Sequence, residues 1–345
     1  MPFGTAKRRN GYLDTSGNAS DSQGRPASRL VAVVVTYNRL PQLKVTLSRL
    51  LHSAAEDLQA VIVFDNASND GSAAWLASQH DPRLVVSRSE TNLGGAGGFA
   101  GGMALARDRF DPDWMVVMDD DARPEPGALS AFHTRDLSQW DALAAAVYFP
   151  DGRICEMNRP SRNPFSNGRA FWRTLLQGRD GFHVTPEAYE GTDSLNIDVT
   201  SFVGFFISRK GLALAGLPDP GLFLYGDDGL YTLGLSMKGG RIAFAPDLRF
   251  EHDCSTFASS QRGRFHPLWK AYYYHRNLLL LYRMAAGWLF WPVLLVIVPK
   301  WLTKARHHQG ERLLFLALIG RALRDGLLRR TNVAHKTILA WAEKR

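Results

Sequence analysis

Cysteine is scarce in this chain: of 345 residues, only Cys155 and Cys254 carry a thiol. Two cysteines so widely separated exclude a disulfide framework and a cysteine-based zinc site, and predict free thiols in a reducing compartment. The N-terminus lacks the apolar stretch of about 7 to 15 residues that marks a secretory signal, so residues 1–28, rich in Gly, Ser, Asn and Arg, read as a flexible leader. The glycine-rich stretch after residue 92 has no GK[ST] ending and no GxGxxG placed between strand and helix, which argues against a P-loop NTPase and a Rossmann dehydrogenase. Zinc-finger, RRM and basic-zipper signatures are absent too. What is present is ordinary globular composition, 45% hydrophobic and 21% charged, enough to bury a real core.

The net charge of +8 describes neither end of the molecule. From Thr256 to Arg345 there are 16 basic and 3 acidic residues, a net of +13, which leaves residues 1–255 at −5. Order begins at Leu30 with LVAVVVT, an apolar β-branched run typical of a parallel strand covered on both faces. A helix follows from Pro41 with Leu43, Leu47, Leu50 and Leu51 at helical spacing, then a strand AVIVFDN from Ala60, a short helix over 73–79 and a third strand over 83–87. NLGGAGGFAGGMALA is expected to precede another helix, and DWMVVMDDD is a strand ending in three carboxylates. Such alternation predicts an α/β fold with a mostly parallel sheet and flanking helices, with ligands beyond the carboxyl ends of the strands. AAAVYFP extends the pattern, residues 151–195 read as an irregular insertion, and VTSFVGFFISR as a strand or strand pair. A helix from Lys210, a loop through PDPGLFLYGDDG, a helix to Leu235 and a final strand RIAFAP before His252 complete it.

Three groups of residues carry chemistry. Alternate side chains of a strand share a face, so Asp119 and Asp121 should converge while Asp120 points elsewhere. Converging carboxylates resist ionisation unless a cation sits between them, and a hard divalent metal holding a diphosphate suits that place. Asp227 and Asp228, entering a helix, read equally as helix caps or as a general base. His252 is either a satisfied histidine or a further metal ligand. The glycines at 94, 95, 97, 98, 101 and 102 serve either a close backbone approach to a ligand or tight helix packing.

Taken in order, VVVTYNR, VFDNASNDGS, NLGGAGGFAGGM, MDDD, YGDD and EH resemble a family 2 glycosyltransferase of the GT-A fold over residues 30–255. NLGGAGGFAGG with YGDD is similar to the bacterial galactofuranosyltransferases. That resemblance implies that Thr36, Arg39, Asp65 and Asn92 contact the uridine of a UDP-sugar, with Gly94, Gly95 and Asp120 in the donor pocket. It further implies Mn²⁺ or Mg²⁺ on Asp119, Asp121 and His252, and Asp228 as catalytic base in preference to Asp227, 24 residues before His252. Where the family has paired tryptophans near the acceptor, this chain has Phe205 and Phe206, which take the acceptor position. The implied reaction is an inverting transfer of galactofuranose from UDP-galactofuranose to a glycan hydroxyl, with a rhamnosyltransferase using a dTDP-sugar as the alternative within the class. An inactive nucleotide-sugar adaptor is the alternative outside it.

Residues 256–345 form a basic, aromatic, helical module. Its uncharged run Met284 to Pro299 is 16 residues long, about 24 Å as a helix against roughly 30 Å of hydrocarbon, with Pro292 inside it. The expectation is an interfacial module with Trp288, Trp291 and Trp301 at an anionic membrane surface, close to an acceptor on a polyprenyl diphosphate. The protein would then be cytoplasmic and peripheral on the inner face of the plasma membrane, with no nucleic-acid partner. A helical cap or homo-oligomer contact is the alternative use of the same helices.

Overall fold

The computed structural model describes residues 28–254 and 264–343, so the leader expected over 1–28 lies almost wholly outside the described residues. The first half alternates as β1 (Leu30–Thr36), α1 (Leu40–Leu51), β2 (Ala60–Asp65), α2 (Ser72–Ala77), β3 (Leu84–Arg88), α3 (Gly94–Phe110) and β4 (Trp114–Asp119). Next come β5 (Ala122–Pro124), α4 (Ala128–Thr134), β6 (Ala142–Tyr148), α5 (Gly168–Gln177), α6 (Pro186–Tyr189) and β7 (Leu195–Ile197). Then follow β8 (Phe205–Ser208), α7 (Arg209–Ala215), α8 (Asp227–Met237) and β9 (Ile242–His252). The helices α9 (Lys270–Ala286), α10 (Phe290–Leu302), α11 (Arg312–Leu327) and α12 (His335–Ala342) close the chain.

One mixed sheet runs β3-β2-β1-β4-β8-β6-β9-β5, with β7 beside β9. β3, β2, β1 and β4 are parallel, β8 runs against both of its neighbours, and β6 and β9 are parallel again. Alternate residues of β1 divide between two cores: Ala32 and Val34 pack beneath α1 and α4, while Val31, Val33 and Val35 face α3. The glycine-rich stretch does not precede the helix; it is its first turns. A Cβ on Gly98 would stand 2.5 Å from Val35, on Gly101 2.5 Å from Phe64 and on Gly102 2.5 Å from Val33. These three glycines therefore serve close helix-to-sheet packing.

Residues 151–195 contain α5, capped by Asn167, whose side chain accepts from the Ala170 amide. VTSFVGFFISR supplies one short strand, β8, and β9 is longer than expected and ends on His252 itself. The apolar run Met284 to Pro299 is broken at Gly287, whose φ of +54 turns the chain between α9 and α10. By length and composition alone, the helical run Lys270–His307 could cross a membrane, and 17% of its most apolar window is buried.

The C-terminal helices pack onto the α/β part through α8 and the loop before it. Arg276 of α9 is fully buried and donates to the carbonyls of Gly221 at 2.8 Å and Leu222 at 3.0 Å. Asn277 donates to the carbonyls of Leu222, Leu224 and Tyr225 at 2.8–3.0 Å. The loop leading to Asp227 thus hangs from α9.

Candidate active site

The carboxyl ends of β1, β2, β4 and β9 and the start of α8 meet at one edge of the sheet. Register sets the first contacts, since Thr36 pairs with Asp65 and Val35 with Asp119. The strand stops at Asp119, and the turn that follows ends the expected alternation: Asp120 and Asp121 both face Arg39. Thr36 Oγ1 donates to Asp120 Oδ2 at 2.7 Å, and Arg39 lies 3.3 Å from Asp120 Oδ1 while pairing with Asp121.

β9 brings the histidine. Ala122 pairs with His252, and the Asp253 amide donates to the Asp121 carbonyl at 2.9 Å, so Nε2 of His252 stands 3.2 Å from Asp121 Oδ1. Its Nδ1 lies 2.8 Å from Asn158 Oδ1. An amide oxygen only accepts, which puts the proton on Nδ1 and leaves Nε2 as the nitrogen for the cleft. Burial opposes charge on this ring, but Asp121, Cys155 and Asp119 together raise its pKa to about 10.

The acids respond to one another. Burial, with the charge of Asp121, pushes Asp119 up to about 7. Burial likewise pushes Asp120 up to about 6 against the pull of Thr36 and Arg39. Asp121 stays below its ordinary value because His252 and Arg39 outweigh its burial. A divalent cation would relieve these repulsions, and a histidine with its far nitrogen fixed by an amide oxygen is a usual arrangement for a ligand. Asp121 and His252, 3.2 Å apart, with Asp119 in electrostatic reach of both, offer donors that fit Mn²⁺ or Mg²⁺.

The second acidic pair opens α8. Gly226, at φ +71, turns the chain into α8, where Asp227 is buried and Asp228 half-buried. Burial holds Asp227 well above the carboxylate range, with Asp228 and Asp119 adding to it, and burial also raises Asp228. That Asp227 feels Asp119 puts both pairs within electrostatic reach. Asp227 also lines a cavity of about 560 Å³ between α8 and α9, walled by Leu222, Leu230, Leu280 and Met284 and rimmed by Lys238, Arg283 and Arg329.

The other expected residues divide. Asp65 is buried at the end of β2, accepts from the Ser68 amide at 2.8 Å and lies 3.2 Å from Arg88. Asn92 accepts from the Gly94 amide at 2.8 Å. Gly94, at φ +73, lies against the Phe223 carbonyl, 2.1 Å from where its Cβ would be, whereas Gly95 has open space beside it. Asn66, which sequence reasoning passed over, ties β2 to α3 by donating to the Gly94 carbonyl and accepting from the Leu93 amide, each at 2.8 Å. Phe205 and Phe206 correct the acceptor expectation: both are fully buried, Phe206 stacked on Phe132 at 4.9 Å, and neither has surface to offer an acceptor. The two cysteines, expected as free thiols too scattered to act together, are free but lie side by side. Cys155 and Cys254 are buried free thiols at Nδ1 of His252.

Comparison with known proteins agrees with this geometry. Residues 31–186 match the model of Glycosyl transferase family 2. Over 263 residues the chain is 28% identical to galactofuranosyltransferase GlfT1 of Mycolicibacterium smegmatis, covering 71% of this chain and 80% of that one. The Mycobacterium tuberculosis protein of the same name is 28% identical over 256 residues, covering 71% and 79%. An undecaprenyl-phosphate mannosyltransferase of Micrococcus luteus is 34% identical over 115 residues, 32% of this chain and 46% of that one. Among solved structures, GalNAc-T7 with UDP, GalNAc and Mn²⁺ superposes at a TM-score of 0.52, with 13% identity over 75% of this chain and 48% of that one. The mannosyltransferase PcManGT of Pyrobaculum calidifontis, with GDP-Man and Mn²⁺, gives 0.50, with 17% identity over 91% and 86%. The fold is GT-A.

Proposed function

We propose that this chain, a family 2 glycosyltransferase resembling galactofuranosyltransferases, moves galactofuranose from UDP-galactofuranose to a hydroxyl of a glycan carried on a polyprenyl diphosphate. The observation that carries the reading is the meeting of two carboxylate pairs, Asp119 with Asp121 and Asp227 with Asp228, at one edge of the sheet. The first pair with His252 would hold Mn²⁺ or Mg²⁺, which when bound neutralises the donor diphosphate and eases departure of UDP. Thr36, Arg39, Asp65 and Asn92 bind and orient the nucleotide, with Asp120, Gly94 and Gly95 beside it. Asp228, the more exposed of the second pair, takes the proton of the acceptor hydroxyl as that oxygen attacks the anomeric carbon in a single inverting displacement. Its burial raises its proton affinity toward the working pH, which suits a general base. Asp227, its neighbour at the start of the helix, is held protonated by burial and leaves Asp228 as the member free to accept the proton.

The cavity beside Asp227 joins an apolar wall to Lys238, Arg283 and Arg329, a combination matched to an anionic headgroup with a hydrocarbon tail. Trp288, Trp291, Leu295 and Val296 of the C-terminal helices face outward. Aromatics beside cations suit a peripheral module, residues 256–345, on the anionic cytoplasmic face of the plasma membrane. Binding to anionic vesicles at low salt and release at high salt is the expected result; no binding at low salt removes the membrane part.

A panel of nucleotide sugars tests the activity. UDP-galactofuranose should be turned over in a metal-dependent way, with dTDP-rhamnose left intact. GDP-mannose belongs in the panel because of the likeness to an undecaprenyl-phosphate mannosyltransferase, and turnover of it alone would replace the proposed donor.

A further inference from the structure

Directly behind His252 lies a cluster that sugar transfer does not use. Cys155, after β6, and Cys254, just beyond β9, place their Sγ atoms 3.9 and 3.2 Å from Nδ1 of His252. The three donor atoms all lie within 4.8 Å of one another, with Cys155 and His252 buried and Cys254 nearly so. Zinc bonds of about 2.3 Å to sulfur and about 2.0 Å to nitrogen set tetrahedral donors roughly 3.5 to 3.8 Å apart. The cluster is thus close to the spacing a tetrahedral cation requires. A fourth donor is at hand in Asn158 Oδ1, 2.9 Å from Cys155 Sγ, or Met157 Sδ, 3.3 Å from Cys254 Sγ.

We propose that Cys155, Cys254 and Nδ1 of His252 form a second metal site, joined to the carboxylate cleft through the His252 ring, that takes a thiophilic divalent cation such as zinc. Softness divides the two sites: thiolates favour Zn²⁺, while carboxylates and phosphates favour Mg²⁺ or Mn²⁺. Binding displaces to solvent the proton on Nδ1 and whatever protons the two thiols carry, leaving two thiolates and a neutral ring whose remaining proton is on Nε2. A neutral imidazole offers one lone pair, so a cation on Nδ1 withdraws Nε2 from the cleft. Zinc at the thiols therefore opposes sugar transfer through the shared ring. This consequence, unlike the site itself, rests on Nε2 serving the diphosphate cation.

The test titrates the full-length chain, kept reduced with a phosphine, with Co²⁺ alone. One equivalent should produce sulfur-to-cobalt charge-transfer absorption with tetrahedral d–d bands, which Zn²⁺ bleaches and Mg²⁺ does not. Cys155→Ser and Cys254→Ser should each weaken Co²⁺ binding by about 100-fold and lose the charge-transfer absorption. In the wild type, one equivalent of Zn²⁺ should slow modification of the thiols by an aromatic disulfide about tenfold or more, a readout that needs no variant. A cobalt spectrum without charge transfer, or thiol reactivity indifferent to zinc, overturns the site. Zinc held by the thiols without loss of transfer overturns the competition for His252.

Discussion

The cleft and the C-terminal helices each bury a histidine, and the two are driven in opposite directions. His252 sits among Asp121, Cys155 and Asp119, which overcome its burial and raise its pKa to about 10. Burial pushes His275 of α9 down to about 3, with Lys304 and His308 adding to the shift. Its Nδ1 donates to the Ala271 carbonyl at 2.7 Å, and its ring meets Phe265, Trp301 and Phe315. The difference teaches what each region is for. The cleft gathers mutually repelling acids that a cation can satisfy, whereas the helices use the buried donors of Arg276 and Asn277 on the carbonyls of the loop before Asp227 and keep the His275 ring neutral, its Nε2 buried without a partner.

The widest break in that comparison comes from removing the base. Asp228→Asn keeps the shape of the cleft but cannot take a proton, so transfer should fall by about 10² to 10⁴ with UDP binding retained. Steady-state kinetics beside UDP titration check it. A variant keeping more than about a tenth of wild-type transfer would mean that Asp228 is not the base.

Much of the cleft was legible because its residues follow apolar strands, and strand ends are where a parallel sheet presents ligands. LVAVVVT, AVIVFD and WMVVMD each became a buried strand, and Thr36, Asp65 and Asp119 to Asp121 came with their ends. What stayed hidden depends on contacts far apart in sequence. Cys155 and His252 are separated by 97 positions and meet only because β6 and β9 lie side by side. Phe205 and Phe206 looked like acceptor contacts by position alone, yet β8 runs in the middle of the sheet with both of its faces covered. Arg276 and Asn277 gave no local signal, since their partners are backbone carbonyls of residues 221–225.

Arg276 carries the next prediction, because it joins the two regions. Arg276→Met retains apolar bulk but orphans the Gly221 carbonyl and removes one donor from Leu222, costing about 2 to 4 kcal/mol of stability. The loop before Asp227 loses its tether, so kcat should fall about 10- to 100-fold while the KM for the donor changes little. Thermal unfolding and kinetics of one preparation read both. An unchanged kcat would show that the helices merely cap the cleft.

The smallest effect separates the two histidines by pH. His275 has a folded pKa near 3, below the ordinary value of about 6.5, so between these values the unfolded chain binds more protons and acidification costs stability. The loss should approach about 1.4 kcal/mol per pH unit below 6.5, or about 2.7 kcal/mol by pH 4.5. His252, raised to about 10, has the opposite sign: without a bound cation, its contribution is complete below about 6.5 and is lost as pH climbs through 10. His275→Phe, which keeps an aromatic ring among Phe265, Trp301 and Phe315, should flatten the acid side of the stability profile and leave the alkaline side unchanged. Urea unfolding at pH 4.5, 7 and 10 measures both limbs. An acid limb equally steep in the variant would assign the loss to other groups and remove the contrast between the two rings.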